Sequence, residues 1–283
     1  MILVTGANGT TGRQVIALLA RQGLKTRAMV RDLQKAKSLE LPNVDIIKAD
    51  FENSSSLEIA LAGMERAFLL TATSPNRVSQ EATFVKIAKQ VGIKHVVRLS
   101  ILGAEVHSPS RLLRRHGEAD QLLIDSGIQF TILQPHYFMQ NLLWYAEEIK
   151  TRGRFHASLP ETTPHSHVDA RDIAAVAVAA LTETNHANQI YRLCGPEALT
   201  YGEMMAILSR QLGKLVYYDS SPENYARSLI NWGLDAEEVL ELDACVAQGI
   251  GAGAEITDTI LRVTKKHATR FEQFARDYLP SFT

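Results

Sequence analysis

Cysteine is scarce in this sequence: Cys194 and Cys245 are the only two, and they form no Cys-x-x-Cys pair. This scarcity argues against a disulfide framework and against a cysteine-rich zinc site, and it suits a reducing cytoplasm. No apolar run approaches the roughly 18 residues of a membrane span, and the chain runs from Met1 almost directly into a glycine-rich turn. We therefore expect a cytoplasmic protein without a signal peptide and without a bound metal.

An excess of positive charge is also absent, because 30 Lys and Arg residues stand against 31 Asp and Glu residues, for a net charge of −1. Such a chain has no general field that attracts nucleic acid or an anionic membrane. Arg111, Arg114 and Arg115 form a small basic cluster, but helical spacing spreads them over a face that we expect to be mostly solvated. We expect neither nucleic acid nor a membrane as a partner.

What the sequence does contain is a repeated pattern of a short aliphatic run followed by a helical stretch, which is typical of a parallel sheet with crossover helices. The runs are mostly apolar rather than alternating, as in strands that are covered on both faces. They are Met1–Thr5, Thr26–Arg31, Val44–Asp50, Arg66–Leu70, His95–Ser100 and Gln129–Gln134. Six such strands predict an α/β fold, a Rossmann-type doubly wound parallel sheet.

The second half of the chain mixes helices and short strands, and no linker rich in proline, glycine or serine separates it from the first. The 283 residues, 46% of them hydrophobic, are enough for one large core plus a cap. We expect a nucleotide-binding domain over residues 1–135 and a smaller, interleaved α/β cap over residues 136–283, with some cap segments returning to the sheet. The substrate cleft should lie between them.

A glycine-rich turn follows the first predicted strand, with the spacing Gly-x-x-Gly-x-x-Gly. The first glycine allows a tight turn, the second lets the backbone approach a pyrophosphate, and the third permits close packing of helix on strand. A purely structural glycine turn is the alternative. We expect the following residues to contact a dinucleotide: Gly6, Asn8, Gly9, Thr10, Thr11 and Gly12.

Arg31 ends the second predicted strand, where an acidic residue would accept the ribose hydroxyls of NAD. A guanidinium there suits the 2′-phosphate of NADP instead, so NADPH is the expected cofactor. The alternative is a solvated Arg31 with Asp32 serving the ribose. After the third strand, Asp50 can accept from the adenine amino group beside the Phe51 ring, or it can equally cap the helix near Ser54–Ser56.

Several segments together resemble the NmrA-like group of atypical short-chain dehydrogenases/reductases. The resemblance covers most of the chain, and it is carried by the glycine turn 4–12 and by the segments 30–32, 49–51, 126–135 and 168–174. Within that group, the chain is most similar to the branch of NADPH-dependent quinone oxidoreductases and triphenylmethane reductases. This resemblance implies hydride transfer from NADPH to a quinone or a similar conjugated acceptor. The same family contains non-catalytic NADP(H)-binding sensors that act through a protein partner, and that alternative stays open, as does a homodimer.

The usual Tyr-x-x-x-Lys pair of short-chain dehydrogenases is missing, because Lys150 falls one place too far from Tyr145. His116 lies where the quinone-reductase-like branch carries a histidine, so the resemblance implies it as the catalytic candidate. Its unperturbed pKa near ~6.5 would permit proton delivery near neutral pH. The alternative is a structural histidine that fixes Glu118 or a nearby loop. Tyr137 is the second catalytic candidate and, with Phe138, offers a stacking surface for a flat acceptor.

Other strand ends complete the expected site. The turn Thr71, Ala72 and Thr73 should line the wall beside the ribose and nicotinamide, while Ser100 and Pro135 follow the fifth and sixth strands. A metal at His165, His167 and Asp169 is disfavoured, because Asp169 or Asp172 is well placed to cap the next helix. The stretch 249–253, rich in glycine, is typical of a flexible loop at the edge of a lid.

Overall fold

The computed structural model describes residues 1–251 and 253–283, and apolar runs become strands throughout it. Among these residues the strands are β1 (Ile2–Val4), β2 (Thr26–Val30), β3 (Val44–Lys48), β4 (Arg66–Leu69), β5 (His95–Leu99), β6 (Gln129–Pro135), β7 (Arg154–His156), β8 (Gln189–Leu193) and β9 (Tyr217–Asp219). The six strands predicted for the first half are confirmed, each within two residues at either end.

The helices between the strands follow the amphipathic stretches of the sequence. They are α1 (Thr10–Arg21), α2 (Ser54–Leu61), α3 (Arg77–Gln90), α4 (Arg111–Asp125), α5 (Ala146–Arg152), α6 (Ala170–Thr182), α7 (Tyr201–Leu212), α8 (Pro222–Asn231), α9 (Ala236–Ala247), α10 (Thr259–Thr264), α11 (Phe271–Asp277) and α12 (Leu279–Phe282). Short 3-10 turns occupy Leu33–Lys35, Lys37–Leu39 and Met139–Tyr145. No helix in the described part of the chain is both long and apolar enough to cross a membrane.

Seven parallel strands form one sheet in the order β3-β2-β1-β4-β5-β6-β8. Helices cover both faces: α1 and α6 pack on one side, and α2, α3 and α4 pack on the other. The strand order reverses between β1 and β4, and the ligand crevice of such sheets lies at the carboxyl edge of that point. The predicted Rossmann-type, doubly wound α/β fold is therefore confirmed.

The second half of the chain contributes to this sheet and also builds a smaller layer. Strand β8 pairs with β6, and α6 packs beside α1, so both return to the main sheet. Strands β7 and β9 form a separate two-stranded parallel sheet. A further core joins β7, α7, α9 and α11 above the carboxyl edge of the main sheet. The division at residues 135 and 136 stays a prediction.

Candidate active site

The turn between β1 and α1 carries three glycines at positions where a side chain does not fit. Gly6 has a left-handed backbone with φ of +58°, and a Cβ there would lie 2.7 Å from the Leu70 side chain. A Cβ on Gly12 would lie 2.3 Å from the carbonyl oxygen of Gly6, and one on Gly9 would lie 3.1 Å from it. The spacing therefore packs the helix start directly onto the strand end, as a phosphate-binding turn requires.

The N-terminus of α1 also has unpaired polar groups that suit a pyrophosphate. Gly9 precedes the helix and provides no side-chain cap, so the first backbone N–H groups have no side-chain acceptor there. Asn8 Oδ1 and Thr11 Oγ1 are buried and have no hydrogen-bond partner within the described residues. Thr10, at the first helical position, is exposed. The residues of this turn fit a dinucleotide cofactor.

Arg31 lies at the same edge of the sheet, immediately after β2, and its side chain is exposed. Asp32 instead caps the following 3-10 turn, because its Oδ1 accepts a hydrogen bond from the Gln34 N–H at 2.9 Å. This contact uses one oxygen of the Asp32 carboxylate. The role of Arg31 toward a 2′-phosphate stays a prediction.

Asp50 does not cap α2, so that alternative is wrong. Its Oδ1 accepts from the Glu52 N–H, whereas Asn53 caps the helix by accepting from the Ser56 N–H at 3.0 Å. Asn53 is the residue directly before α2, and an amide oxygen at this position reaches the free N–H groups of the first turn. Phe51 is half-buried, with its ring centroid 6.0 Å from that of Phe84.

A cavity of about 300 Å³ opens where the ends of β4, β5 and β6 meet the cap. Six predicted site residues line it together: Thr71, Thr73, Ser100, His116, Pro135 and Tyr137. Leu70 also lines it and lies next to Gly6, so the cavity adjoins the glycine turn. Arg31, Asp50 and Phe51 lie outside the cavity at the ends of β2 and β3, and Ala72 is exposed and does not line it.

A buried ion network lies beneath this cavity, centred on Arg98 of β5. Arg98 is fully buried and donates hydrogen bonds to Glu81 of α3 and Asp120 of α4. The same carboxylates accept hydrogen bonds from two residues of the cavity wall, Thr71 at 2.6 Å and Ser100 at 2.8 Å. The network thereby fixes the side chains of both residues.

His116 lies in the wall above that network and is only 4% exposed. Burial, together with the positive charges of Arg77 and Arg98, holds the pKa of His116 well below its usual range. The pKa of His116 is thus lower than the unperturbed value on which the sequence-based expectation relied, and this shift favours the neutral ring. Its Nδ1 has no hydrogen-bond partner in the described chain, and Glu118 is exposed, so no bond fixes Glu118. A neutral imidazole can still donate one hydrogen bond to an acceptor.

Tyr137 enters the cavity from the segment after β6 and is anchored at its hydroxyl. The hydroxyl donates to Asp243 Oδ1 of α9 at 2.8 Å, and Ser158 donates to the other carboxylate oxygen. Burial raises the pKa of Asp243 to about 6, although these two hydrogen bonds oppose the shift. Phe138, the second predicted stacking surface, also lines the cavity.

Three histidines pack around the Tyr137 ring: His136, His165 and His167. Within residues 1–251 and 253–283, no group of three or more His, Cys, Asp or Glu side chains is arranged to hold a metal. Asp169 instead caps α6 by accepting from the Arg171 N–H at 2.8 Å. His136 Nε2 lies 2.8 Å from the Gly253 carbonyl oxygen in the predicted lid edge. Ala252 of that stretch lies outside the described residues.

The basic cluster of α4 is not a solvated face, which corrects that expectation. Arg111 pairs with Glu241 at 2.9 Å, and Arg115 pairs with Glu238 at 2.6 Å. Both acidic residues belong to α9, so these ion pairs hold α9 against α4. Leu242 of the same helix lines the cavity. The cluster therefore helps to position one wall of the candidate site.

Seven parallel strands in this order, with a glycine turn after the first, define a Rossmann-type protein of the class that binds NAD(P). The sequence profile of the NmrA-like family matches residues 1–274, and the chain belongs to this family.

Two curated relatives and one solved structure are similar over most of their length. The NAD(P)H azoreductase of Xenophilus azovorans is 38% identical over 100% of this chain and 99% of its own length. Quinone oxidoreductase 2 of Escherichia coli is 32% identical over 83% of this chain and 82% of its own length. The crystal structure of an NADPH-dependent quinone oxidoreductase from Escherichia coli with NADPH has a TM-score of 0.85 and 27% identity, covering 99% of this chain and 100% of that one.

Several residues of the site were not predicted from the sequence, among them Arg77, Leu242 and Asp243. Arg77 and Leu242 line the cavity, and Asp243 holds Tyr137 from behind. Asp243 is separated from Tyr137 by 106 positions, and no spacing rule connects them. Only the placement of α9 over the sheet edge brings these groups together.

Proposed function

We propose that this NAD(P)H-dependent oxidoreductase of the NmrA-like family prefers NADPH and transfers a hydride to quinones or similarly flat, conjugated acceptors. The observation that carries the proposal is the position of the 300 Å³ cavity, which adjoins the glycine turn through Leu70. A cofactor whose pyrophosphate binds at that turn lies along the same edge of the sheet, toward the cavity. A homodimer and a cytoplasmic location stay predictions.

The roles of the chain's own residues follow from this arrangement. The glycine turn binds the pyrophosphate, and Arg31 binds the 2′-phosphate. When bound, the cofactor supplies the hydride. Tyr137 and Phe138 hold the acceptor flat in the cavity, and the neutral His116 ring donates a hydrogen bond to it. These steps need only orientation and exclusion of water, which the buried walls provide.

The direct test is NADPH oxidation, followed by absorbance, with menadione, an azo dye, a triphenylmethane dye and an enone as acceptors. We expect oxidation well above background with the quinone and at least one dye. A protein that binds NADPH tightly yet oxidises it with no acceptor would instead be the non-catalytic sensor that acts through a protein partner.

Arg31→Ala should weaken NADPH binding by about ten- to a hundredfold and leave NADH binding nearly unchanged. A charge-assisted hydrogen bond contributes about 1.5–3 kcal/mol, and only NADPH carries the 2′-phosphate that Arg31 would contact. Fluorescence titration of each variant with both cofactors measures the effect. Arg21→Ala, an exposed arginine at the far end of α1, is the matched control and should change neither affinity. Equal losses for both cofactors would exclude the role of Arg31.

His116→Ala should lower kcat several-fold, with the steepest loss for the acceptor of lowest electron affinity. A poor acceptor develops more negative charge on its oxygen or nitrogen, so it depends more on a hydrogen-bond donor. The loss should be the same at about pH 6 and about pH 8, because the lowered pKa of His116 keeps the ring neutral throughout. Steady-state kinetics across a graded acceptor series measures this, with the exposed His107→Ala as the control. If His116→Ala lowers kcat by the same factor for every acceptor in the series, His116 has a purely structural role.

A further inference from the structure

Asp243 is a buried carboxyl group without a cationic partner. It is 4% exposed, and its hydrogen bonds in the described chain come from the Tyr137 and Ser158 hydroxyls alone. An unpaired carboxylate in such a place is costly, so burial raises the pKa of Asp243 above the usual range of an aspartate. Tyr137 lines the cavity, so this carboxyl is hydrogen-bonded to a residue of the cavity wall.

The groups that face Asp243 from neighbouring elements do not supply a positive charge. Burial lowers the pKa of His136 to about 3 and that of His165 to about 4, and burial holds the pKa of His167 well below its usual range. The arginines of α4 pair with Glu238 and Glu241 instead. Four tyrosines also lie near Asp243, and burial raises the pKa of each, so their hydroxyls are neutral: Tyr145, Tyr201, Tyr218 and Tyr225. The charged side chains next to these tyrosines are carboxylates: Glu148, Glu161 and Asp219.

We propose that Asp243 supplies the proton that the reduced acceptor takes up, and that the Tyr137 hydroxyl passes this proton into the cavity. The inference rests on the proposed function, because it concerns the proton that accompanies the hydride. Asp243 acts through Tyr137 and does not touch the acceptor itself.

The proposed transfer conserves atoms and charge. The acceptor gains a hydride, which is one proton with two electrons, and is left with a negative charge on oxygen or nitrogen. The Tyr137 O–H bond breaks, and its proton forms a new bond with that atom. The Asp243 carboxyl proton moves along the 2.8 Å contact to the Tyr137 oxygen. Tyr137 ends neutral and Asp243 ends as a carboxylate, which water reprotonates from the half-buried side at Ser158.

The direction of the Tyr137–Asp243 hydrogen bond makes this transfer dependent on pH. With Asp243 ionised, the Tyr137 proton is held by the carboxylate, and its loss would leave two negative oxygens side by side. With Asp243 protonated, the carboxyl donates to the Tyr137 oxygen and frees the Tyr137 proton for the acceptor. Activity therefore requires the acid form, whose pKa burial raises to about 6.

The first test measures kcat from about pH 5 to about pH 9 with an azo dye, whose reduced nitrogen must take up a proton. Wild-type kcat should fall about tenfold per pH unit above about pH 6, until it levels off at the rate of Asp243→Asn. Asp243→Asn should be pH-independent, so that the ratio of wild-type to variant kcat falls from at least about tenfold near pH 6 to near one at about pH 8. Glu272→Gln removes an exposed carboxyl on α11, away from the α4–α9 contact, so it is the control and should keep the wild-type profile.

A second variant keeps the inference testable if Asp243→Asn does not fold. The Ser158 hydrogen bond lowers the pKa of Asp243, so Ser158→Ala should move the fall in kcat to higher pH. A role in folding alone would not move the inflection. An unchanged inflection in this variant, or the same pH profile in Asp243→Asn and the wild type, would overturn the proposal.

Thermal unfolding of the cofactor-free protein provides a readout that is independent of turnover. A carboxyl whose pKa is higher in the folded state loses stabilising free energy as pH rises from about 4 to about 6. The melting temperature of Asp243→Asn minus that of the wild type should therefore rise over this interval and stay constant above it. A flat difference would overturn the assignment of the proton to Asp243. Wild-type protein that titrates as expected but reduces no acceptor would instead contradict the proposed function.

Discussion

Gly12→Ala should reduce NADPH affinity by at least about a hundredfold. The new Cβ would lie 2.3 Å from the Gly6 carbonyl oxygen and 3.0 Å from the Ala7 Cα, so the backbone of the turn has to move. Each charge-assisted hydrogen bond that the moved N–H groups lose to the pyrophosphate is worth about 1.5–3 kcal/mol. Two lost bonds account for the expected loss. Calorimetric titration with NADPH measures it.

Gly23→Ala is the matched control for this experiment. Gly23 also has a left-handed backbone, with φ of +71°, but no atom lies within 4 Å of its missing Cβ. The strain should cost about 1–2 kcal/mol of folding free energy and leave NADPH affinity unchanged. Similar NADPH affinities in Gly12→Ala and the wild type would show that the cofactor binds elsewhere.

The parallel sheet was predictable because its strands are covered on both faces. Apolar runs such as Met1–Val4 mark the buried strands, and the glycine turn after β1 identifies the first of them. Because the strands are parallel, the residues at their carboxyl ends lie along one edge of the sheet. This is why Thr71, Ser100 and Pro135 lie around one cavity, although the sequence separates them widely.

The sequence did not settle which residue caps α2, because two suitable side chains lie close together before the helix. Asp50 and Asn53 both precede α2, and either side chain is chemically suited to cap a helix. The outcome depends on where the helix starts, and helix boundaries are poorly specified by sequence. The structure starts the helix at Ser54, which makes Asn53 the cap and leaves Asp50 free to accept from Glu52.

The chemistry of the site was less predictable than its position, because a pKa depends on three-dimensional surroundings. The sequence places His116 on the correct helix but says nothing of its burial or of the two arginines that lower its pKa. The contact of Tyr137 with Asp243 likewise depends on the packing of α9, which the ion pairs with α4 secure. One signal was present: Arg98 interrupts an apolar strand, and a charge in a covered strand requires buried partners.

Arg98→Met should destabilise the protein by about 3–5 kcal/mol. The substitution removes the cation from a fully buried site and leaves Glu81, at 1% exposure, and Asp120 without their main counter-charge. Urea unfolding measures the loss. Arg192→Met is the matched control: this strand arginine pairs with Glu255 at 3.0 Å, but the pair is exposed and should contribute no more than about 1 kcal/mol.

The pH dependence of the Arg98→Met loss separates an electrostatic cause from a packing cause. Without Arg98, the burial that raises the folded-state pKa of Asp120 is no longer opposed by that positive charge, so stability decreases as pH rises and the loss is larger at about pH 8 than at about pH 5. Adding Glu81→Gln and Asp120→Asn should recover part of the free energy of unfolding, since no buried charge then lacks a partner. A loss that is equal at both pH values and is not recovered in the triple variant would point to a packing defect. In that case the Arg98 network would support the cavity walls at Thr71 and Ser100 through packing and not through charge.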